Sequence, residues 1–209
     1  MDFKKAIEKA KAEENKRNFK QTVELIVNLK GVDPKKFSIN DAYKLPAGLN
    51  KKRFVCVVGS GDVALKAKKS ADLVIDKKNL AGYADKKKGK ELANKVDFFV
   101  VEMPLMAEFA KTMGTILGPR GKMPLPKHII SFDTDPGKLI DELKNTVRMV
   151  VKKSAVAQLV IGDEDMSNEE LAKNADFLYD ILIHKLERGD QNIKNMYVKL
   201  TMGKPVKVE

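Results

Sequence analysis

Two segments near the ends of the chain largely alternate between hydrophobic and polar positions. In residues 19–29, one side of the alternation carries Val23, Leu25, Val27 and Leu29, and the other carries Thr22, Glu24, Ile26 and Asn28. A period of two is typical of a strand that buries one face. Residues 196–202 alternate in the same way and predict a final strand, in which Lys199 and Thr201 share a face opposite Leu200 and Met202.

The middle of the chain consists of short, continuous apolar runs separated by helical segments. The runs predict strands at 54–58, 73–75 and 98–101, and the segments between and after them predict helices at 62–69, up to residue 95, at 103–117 and from 135 to about 147. Strands that are apolar throughout are buried on both faces, and regular alternation with helices indicates a parallel sheet with helices on each side.

The outer parts of the chain follow a different plan. Residues 1–16 predict a short amphipathic helix, residues 31–48 a loop with turns at 33–34 and 45–48, and residues 156–161 a strand. Ser167 and Glu170 have the spacing of a helix capping box, and the helix that follows has Gly189 as its expected stop. The chain therefore predicts a parallel α/β domain, residues 49–148, inserted into a discontinuous α+β domain formed by residues 1–48 and 149–209.

The net charge of the chain indicates which class of partner it binds. The 209 residues carry a net charge of +11, and residues 49–148 contain 20 Lys and Arg against 12 Asp and Glu. Such an excess favours a polyanion, with nucleic acid preferred over a membrane surface. No apolar run approaches the length of a membrane span, and the first residues lack an apolar signal core, so a cytoplasmic protein is expected. The single cysteine, Cys56, lies in an apolar strand and is interpreted as a buried thiol.

A glycine pair suggests an alternative function. The segment from Gly59 to Ala64 fits the dinucleotide fingerprint G-x-G-x-x-A, and Asp76 ends the next strand, where a ribose-binding acid belongs. A nucleotide-dependent enzyme using Gly59, Gly61 and Asp76 is therefore a second hypothesis. Against it, the helix is short, no hydride-transfer group follows, and the excess of basic residues stays unexplained.

Other candidate chemistry is weak. Two histidines, His128 and His184, and one cysteine make a zinc site improbable, and neither histidine has a triad partner. The acids 163–165 favour the start of the next helix. The lysine runs at 66–69 and 86–88 are either solvated faces or phosphate contacts. No metal, cofactor or catalytic residue is predicted.

The segment 116–124, Ile-Leu-Gly-Pro-Arg-Gly-Lys-Met-Pro, predicts a loop of fixed shape that presents Arg120 and Lys122. It is not a phosphate-binding P-loop, because its glycines are too close together and Met123 follows the lysine. It resembles the signature of the ribosomal protein L-one family, found in the mobile stalk of the large ribosomal subunit. Three further segments resemble that family in the expected order: residues 17–24, 45–48 and 197–203.

The resemblance spans the whole chain and is closer to the archaeal type than to the bacterial type. It implies a split β-α-β-like RNA-binding domain with an inserted Rossmann-like, three-layer domain that holds no nucleotide, so Gly59 and Gly61 become turn residues. It also implies a non-enzymatic protein that is monomeric when free, binds stalk rRNA, helps release deacylated tRNA from the exit site and represses its own mRNA.

The resemblance, together with the strand pattern, assigns the RNA contacts to seven residues: Phe19, Thr22, Glu24, Lys199, Thr201, Met202 and Gly203. Lys204 and Lys20 depart from the residues common in the family, which are a proline and a neutral polar residue. Arg120 and Lys122 are assigned either to a secondary contact with rRNA or tRNA or to shaping the surface of the inserted domain.

Overall fold

The computed structural model describes residues 2–12, 17–33, 37–131, 135–152 and 154–208. The strands in these ranges are β1 (Thr22–Leu29), β2 (Ile39–Lys44), β3 (Val55–Gly59), β4 (Leu73–Asp76), β5 (Phe98–Glu102), β6 (Ile129–Ile130), β7 (Thr146–Val151), β8 (Val156–Asp163), β9 (Ile193–Leu200) and β10 (Val206–Lys207). The α-helices are α1 (Phe3–Ala10), α2 (Gly61–Ala67), α3 (Lys77–Leu80), α4 (Lys86–Lys95), α5 (Met106–Leu117), α6 (Pro136–Lys144) and α7 (Asn168–Lys185). The predicted helix at 13–16 and the turn residue Pro34 lie outside the described ranges.

The chain divides into two compact units. The outer unit comprises Met1–Lys51 and Thr146–Glu209, and the inner unit comprises Lys52–Asn145. Each unit has its own hydrophobic core. Within the described ranges, none of the helices combines the length and the hydrophobicity that spanning a bilayer requires.

The outer unit is built on a four-stranded antiparallel sheet in the order β10-β9-β1-β8. The predicted alternation of β1 is confirmed, because Val23, Leu25 and Val27 are fully buried while the positions between them are half-buried. Helices α1 and α7 cover the buried face and contribute Phe3, Ile7, Leu171 and Leu178 to its core. The opposite face of β1 and β9 is half-buried and mixed, since Thr22, Glu24 and Lys199 share it with Ile26 and Tyr197.

The start of α7 matches the predicted capping box, but its end does not match the predicted stop. The Ser167 hydroxyl accepts from the Glu170 amide at 3.2 Å, and the Glu170 carboxylate accepts from the Ser167 amide at 3.0 Å. The helix ends at Lys185, because Leu186 is already extended. Gly189 instead starts a short 3-10 turn with a φ of +54°.

A second sheet in the outer unit pairs β2 with β7 in antiparallel fashion. The predicted loop over 31–48 and the predicted helix up to residue 147 are both wrong here. Strand β2 carries polar and apolar residues without a clean period, and its partner lies about a hundred positions away. The helix stops at Asn145, since the β-branched residues Thr146 and Val147 favour an extended chain.

The inner unit contains the predicted parallel sheet, in the order β4-β3-β5-β6. Cys56 and Val58 of β3 pack with residues of α4 and α5 such as Phe109 and Met113, while Val55 is buried on the other face. Burial raises the pKa of the Cys56 thiol to about 12, so the interpretation as a buried core thiol is confirmed.

Candidate nucleic-acid interface

The neighbouring strands β1 and β9 bring the two ends of the chain together. The Thr201 hydroxyl accepts from the Thr22 amide at 3.1 Å and donates to the Thr22 carbonyl at 3.3 Å. The Thr201 amide also donates to that carbonyl, at 3.1 Å. Three hydrogen bonds therefore join residues that are 179 positions apart. We call the seven predicted contact residues around this junction the strand-end patch: Phe19, Thr22, Glu24, Lys199, Thr201, Met202 and Gly203.

Thr201, Met202 and Gly203 form a turn rather than the end of a strand. The Gly203 amide donates to the Leu200 carbonyl at 3.0 Å, which closes the turn directly after β9. The strand predicted over residues 196–202 ends too late, because Leu200 is the last residue of β9 and 1% exposed, whereas Met202 lies in the turn and is 61% exposed. Polar and apolar residues happen to keep alternating into the turn, and this extended the predicted strand too far.

Gln21 positions this turn, and the sequence analysis missed it. Its side chain is 1% exposed, and its Oε1 accepts from the Met202 amide at 3.0 Å. Its backbone carbonyl accepts from the Glu164 amide at 3.0 Å. Gln21 occupies the same phase of the alternation as Val23, so a polar residue stands at a core position. Such a residue must find hydrogen-bond partners inside the protein, and this was the signal available in the sequence.

Two large apolar side chains of the patch face solvent. Phe19 is 53% exposed, and with Met202 it makes up half of the large exposed hydrophobic residues in the described ranges, the others being Leu65 and Met103. An exposed aromatic ring beside polar groups is suited to stack on a base or ribose, and single-stranded parts of RNA offer both. The solvent-facing position of Phe19 agrees with a binding role better than with a packing role.

Glu24 and Lys199 stand directly opposite each other on β1 and β9, on the half-exposed face of the sheet. The first strand and β9 are therefore neighbours in the sheet, as a joint polar patch requires. Lys199 supplies a positive charge suited to phosphate. When it is ionised, the Glu24 carboxylate can only accept hydrogen bonds, so it is suited to donors such as base amino groups or ribose 2′-hydroxyls.

Charged groups flank the strand-end patch. The Lys20 ammonium pairs with the Asp165 carboxylate at 2.5 Å, with both side chains largely in solvent. An exposed pair of this kind contributes little stability, so Lys20 is able to exchange its partner for a phosphate. Burial lowers the pKa of Lys11, whose ammonium donates to the Met166 carbonyl. Of the acids 163–165, Asp163 ends β8, and Glu164 and Asp165 lie in the turn before α7.

The segment 116–124 caps a helix instead of forming an open loop. The Lys122 amide donates to the Leu117 carbonyl at 3.0 Å, and the Gly121 amide donates to the Gly118 carbonyl at 3.1 Å. With a φ of +66° at Gly121, these bonds define a Schellman motif at the end of α5. The Lys122 ammonium donates to the carbonyls of Ala93 and Val96 at 2.8 and 2.7 Å. Lys122 thus shapes the inner unit, whereas Arg120 is exposed to solvent.

The glycine pair of the inner unit lacks the features of a dinucleotide site. The buried Glu102 carboxylate, 4% exposed, accepts from the Ser60 amide at 2.7 Å and from the Ser60 hydroxyl at 2.9 Å. A carboxylate thus occupies the donors that a pyrophosphate would need, and its charge would repel one. Gly61 has a φ of +50° with open space around it, as a turn residue does. Asp76 is exposed at the end of β4.

The structure does not join the remaining candidate groups into a catalytic or metal centre. His128 is buried with its ring against Phe98, at 5.4 Å between centroids, and His184 is exposed on α7. Among the residues that the structure describes, no group of three His, Cys, Asp or Glu side chains could hold a metal ion.

Comparison with known proteins covers both units of the chain. The sequence profile of the Ribosomal protein L1p/L10e family matches residues 7–204. The large ribosomal subunit protein uL1 of Archaeoglobus fulgidus is 42% identical over 98% of this chain and 95% of that protein. The corresponding protein of Picrophilus torridus is 41% identical over 97% and 95%, and that of Methanothermobacter thermautotrophicus is 37% identical over 99% and 98%. The matched range includes every residue of the strand-end patch.

Proposed function

The chain belongs to the Ribosomal protein L1p/L10e family, and we propose that the strand-end patch is the surface through which it holds the rRNA of the large-subunit stalk. As a member of this family, it is a non-enzymatic structural constituent of the large ribosomal subunit that binds rRNA. The alternative of a nucleotide-dependent enzyme is therefore wrong.

The observation that carries the proposal is the junction of Thr22 with Thr201. Hydrogen bonds fix the turn that exposes Met202 at the end of β9, on which Lys199 lies opposite Glu24 of β1. A rigid surface binds RNA without first losing conformational entropy, which favours recognition by shape. The net charge of +11 adds long-range attraction to the phosphates.

Replacement of Thr201 tests the proposal. Thr201→Val keeps the side-chain volume but removes both hydroxyl hydrogen bonds to Thr22, so we expect stalk rRNA to bind at least about fivefold more weakly, equivalent to about 1 kcal/mol. Thr201→Ser keeps the hydroxyl and is expected to bind within about twofold of wild type. Filter binding with a stalk rRNA fragment and an unrelated hairpin measures both effects.

Circular dichroism of both Thr201 variants separates a binding defect from unfolding. Equal affinities of wild type and a folded Thr201→Val variant for stalk rRNA would remove the strand-end patch from the interface.

We infer that the same surface serves two further roles in the cytoplasm, one in tRNA release on the ribosome and one in repression of the protein's own mRNA. The protein carries the stalk rRNA and so assists the release of deacylated tRNA from the exit site. When it exceeds the rRNA available, a similar fold in its own mRNA occupies the strand-end patch, and translation of that mRNA falls. Competition between the two RNAs for one surface is the physical requirement of this feedback, and Thr201→Val is expected to weaken both complexes together.

A further inference from the structure

A groove in the inner unit is not used by the proposed function. It lies at the carboxyl ends of β3 and β4, has a volume of about 450 Å³, and its lining includes Ala64, Leu65, Lys68, Asp76, Lys77 and Lys78. In parallel α/β sheets, ligands bind outside the carboxyl ends of the strands where the strand order reverses, which here is between β3 and β5. The groove shares the carboxyl end of β3 with that position. The groove is open along the surface.

The charge of the groove selects an anionic partner. Lys68, Lys77 and Lys78 are exposed, and only one carboxylate, that of Asp76, lines the groove with them. Within the ranges that the structure describes, none of the three ammonium groups has an ion-pair partner. The inner unit as a whole carries 18 basic against 12 acidic residues, which adds to the local field.

Leu65 gives the groove a second property. Its side chain is 60% exposed and lies between the lysines in the lining of the groove. An apolar surface does not strengthen the binding of a simple anion, whereas an RNA strand presents ribose and base faces as well as phosphates. A free nucleotide is disfavoured, because the Ser60 amide and hydroxyl are already occupied by Glu102.

We propose that this groove is a second RNA-contact surface, which binds the sugar-phosphate backbone of large-subunit rRNA through the three lysines and packs a ribose or base against Leu65. The proposal rests on the proposed function, because it assumes a protein seated on rRNA. It assigns to the inner unit an RNA contact separate from the strand-end patch.

The matched test uses two charge-reversed triple variants of the full chain. One is Lys68→Glu/Lys77→Glu/Lys78→Glu in the groove, and the other is Lys86→Glu/Lys87→Glu/Lys88→Glu, three exposed lysines at the start of α4. Both change the net charge of the inner unit equally. Their rebinding to large subunits stripped of this protein is measured over a salt series. Circular dichroism establishes that each variant is folded.

We expect the groove variant to bind at least about fivefold more weakly than the α4 variant and to lose about two to three units of the log-log salt slope relative to it. Equal loss of affinity in both variants would mean that only overall charge matters, and the groove proposal would fall. The Thr201→Val result on isolated stalk rRNA is independent of this comparison, so failure of one proposal is distinguishable from failure of the other.

A tethered iron chelate locates the partner directly. Leu65→Cys places one reactive thiol at the groove, while the buried Cys56 escapes modification. In reassembled subunits we expect hydroxyl radicals to cleave one segment of rRNA, and the same chelate on Lys87→Cys to leave that segment intact. If the chelate on Leu65→Cys cleaved no rRNA, the proposal would be overturned. That result is expected if an acidic protein segment covers the groove instead of rRNA.

Discussion

At the scale of single residues, the strand-end patch depends on a buried glutamine that does not belong to it. Gln21 reaches the Met202 amide across 181 positions of sequence and ties the start of β1 to the turn after β9. The exposed side chains of the patch owe their arrangement to this contact and to the threonine pair. We therefore regard Gln21 as a positioning residue for RNA binding.

Gln21→Met tests this role, because methionine fills the same space without an acceptor for the Met202 amide. We expect stalk rRNA affinity to fall about fivefold, the effect of one lost hydrogen bond, and hydrogen exchange of the Met202 amide to speed up. Gln158→Met, on the exposed face of β8, is the control and is expected to change neither. Unchanged exchange at Met202 in the Gln21 variant would contradict the assignment.

The sequence predicted the burial of single residues correctly where hydrophobic and polar positions alternate along one strand. The buried side of β1 follows from alternation alone, and so does the facing of Glu24 and Lys199 once the two strands are neighbours. The resemblance placed Met202 among the RNA contacts, but its exposure depends on a turn that hydrogen bonds to Gln21 and Leu200 hold in place, and the strand pattern did not predict that turn. For Lys122 the sequence left two roles open, an RNA contact or shaping of the inserted domain, and could not decide between them because its carbonyl partners lie 26 and 29 positions earlier in the chain.

At the scale of elements, the segment 116–124 shows how one motif can suggest two interpretations. Its glycines and prolines predict a loop, yet the first half continues the turn of α5 and closes it with a Schellman cap. The cation Lys122 then bonds to carbonyls at and beside the end of α4, where a positive charge also interacts well with the helix dipole. The motif thus joins two helices of the inner unit.

Gly121→Ala is expected to destabilise the inner unit by about 1 kcal/mol, because alanine is strained at a φ of +66° although nothing crowds its Cβ. Gly114→Ala, inside the same helix and also uncrowded, is expected to stabilise by about 0.5–1 kcal/mol. Urea unfolding followed by circular dichroism measures both. If both substitutions changed the free energy of unfolding in the same direction, the Schellman cap would not explain why position 121 is a glycine.

Elements with a strong local period were predicted, and those set by distant partners were not. Strand β5 and helix α7 follow from an apolar run and a capping box. Strand β2 was predicted as loop, since its residues lack a period and pairing with β7 determines its conformation. The end of α6 was placed too late because the apolar pattern continues into β7 while the backbone changes.

At the scale of the whole molecule, buried acids that stay protonated make the fold sensitive to alkali. Burial raises the pKa of Cys56 in the inner unit to about 12, and burial together with Asp41 raises that of Tyr43 in the outer unit to about 12. Burial also raises the pKa of Tyr179. In each case the unfolded chain loses its proton at lower pH than the folded chain, so high pH favours unfolding.

We expect the contribution of Cys56 to the free energy of unfolding to be constant below the ordinary thiol pKa of 9.0 and to fall between pH 9 and about 12. The slope from this one fully buried group is at most about 1.4 kcal/mol per pH unit. Cys56→Ala lowers stability at neutral pH through a small cavity but should flatten the slope. Parallel pH profiles for wild type and Cys56→Ala, from urea unfolding, would refute the linkage.

The pairing of β1 with β9 has a consequence for the synthesis of the protein. Thr22 and Thr201 are 179 positions apart, so at about 5–20 residues per second the two are made roughly 10–40 s apart. Until β9 and Thr201 emerge, the edge of β1 that pairs with β9 is free, and the threonine junction does not exist. A nascent chain, or one that terminates before β9, therefore lacks the junction, and the strand-end patch forms only after β9 has been synthesised.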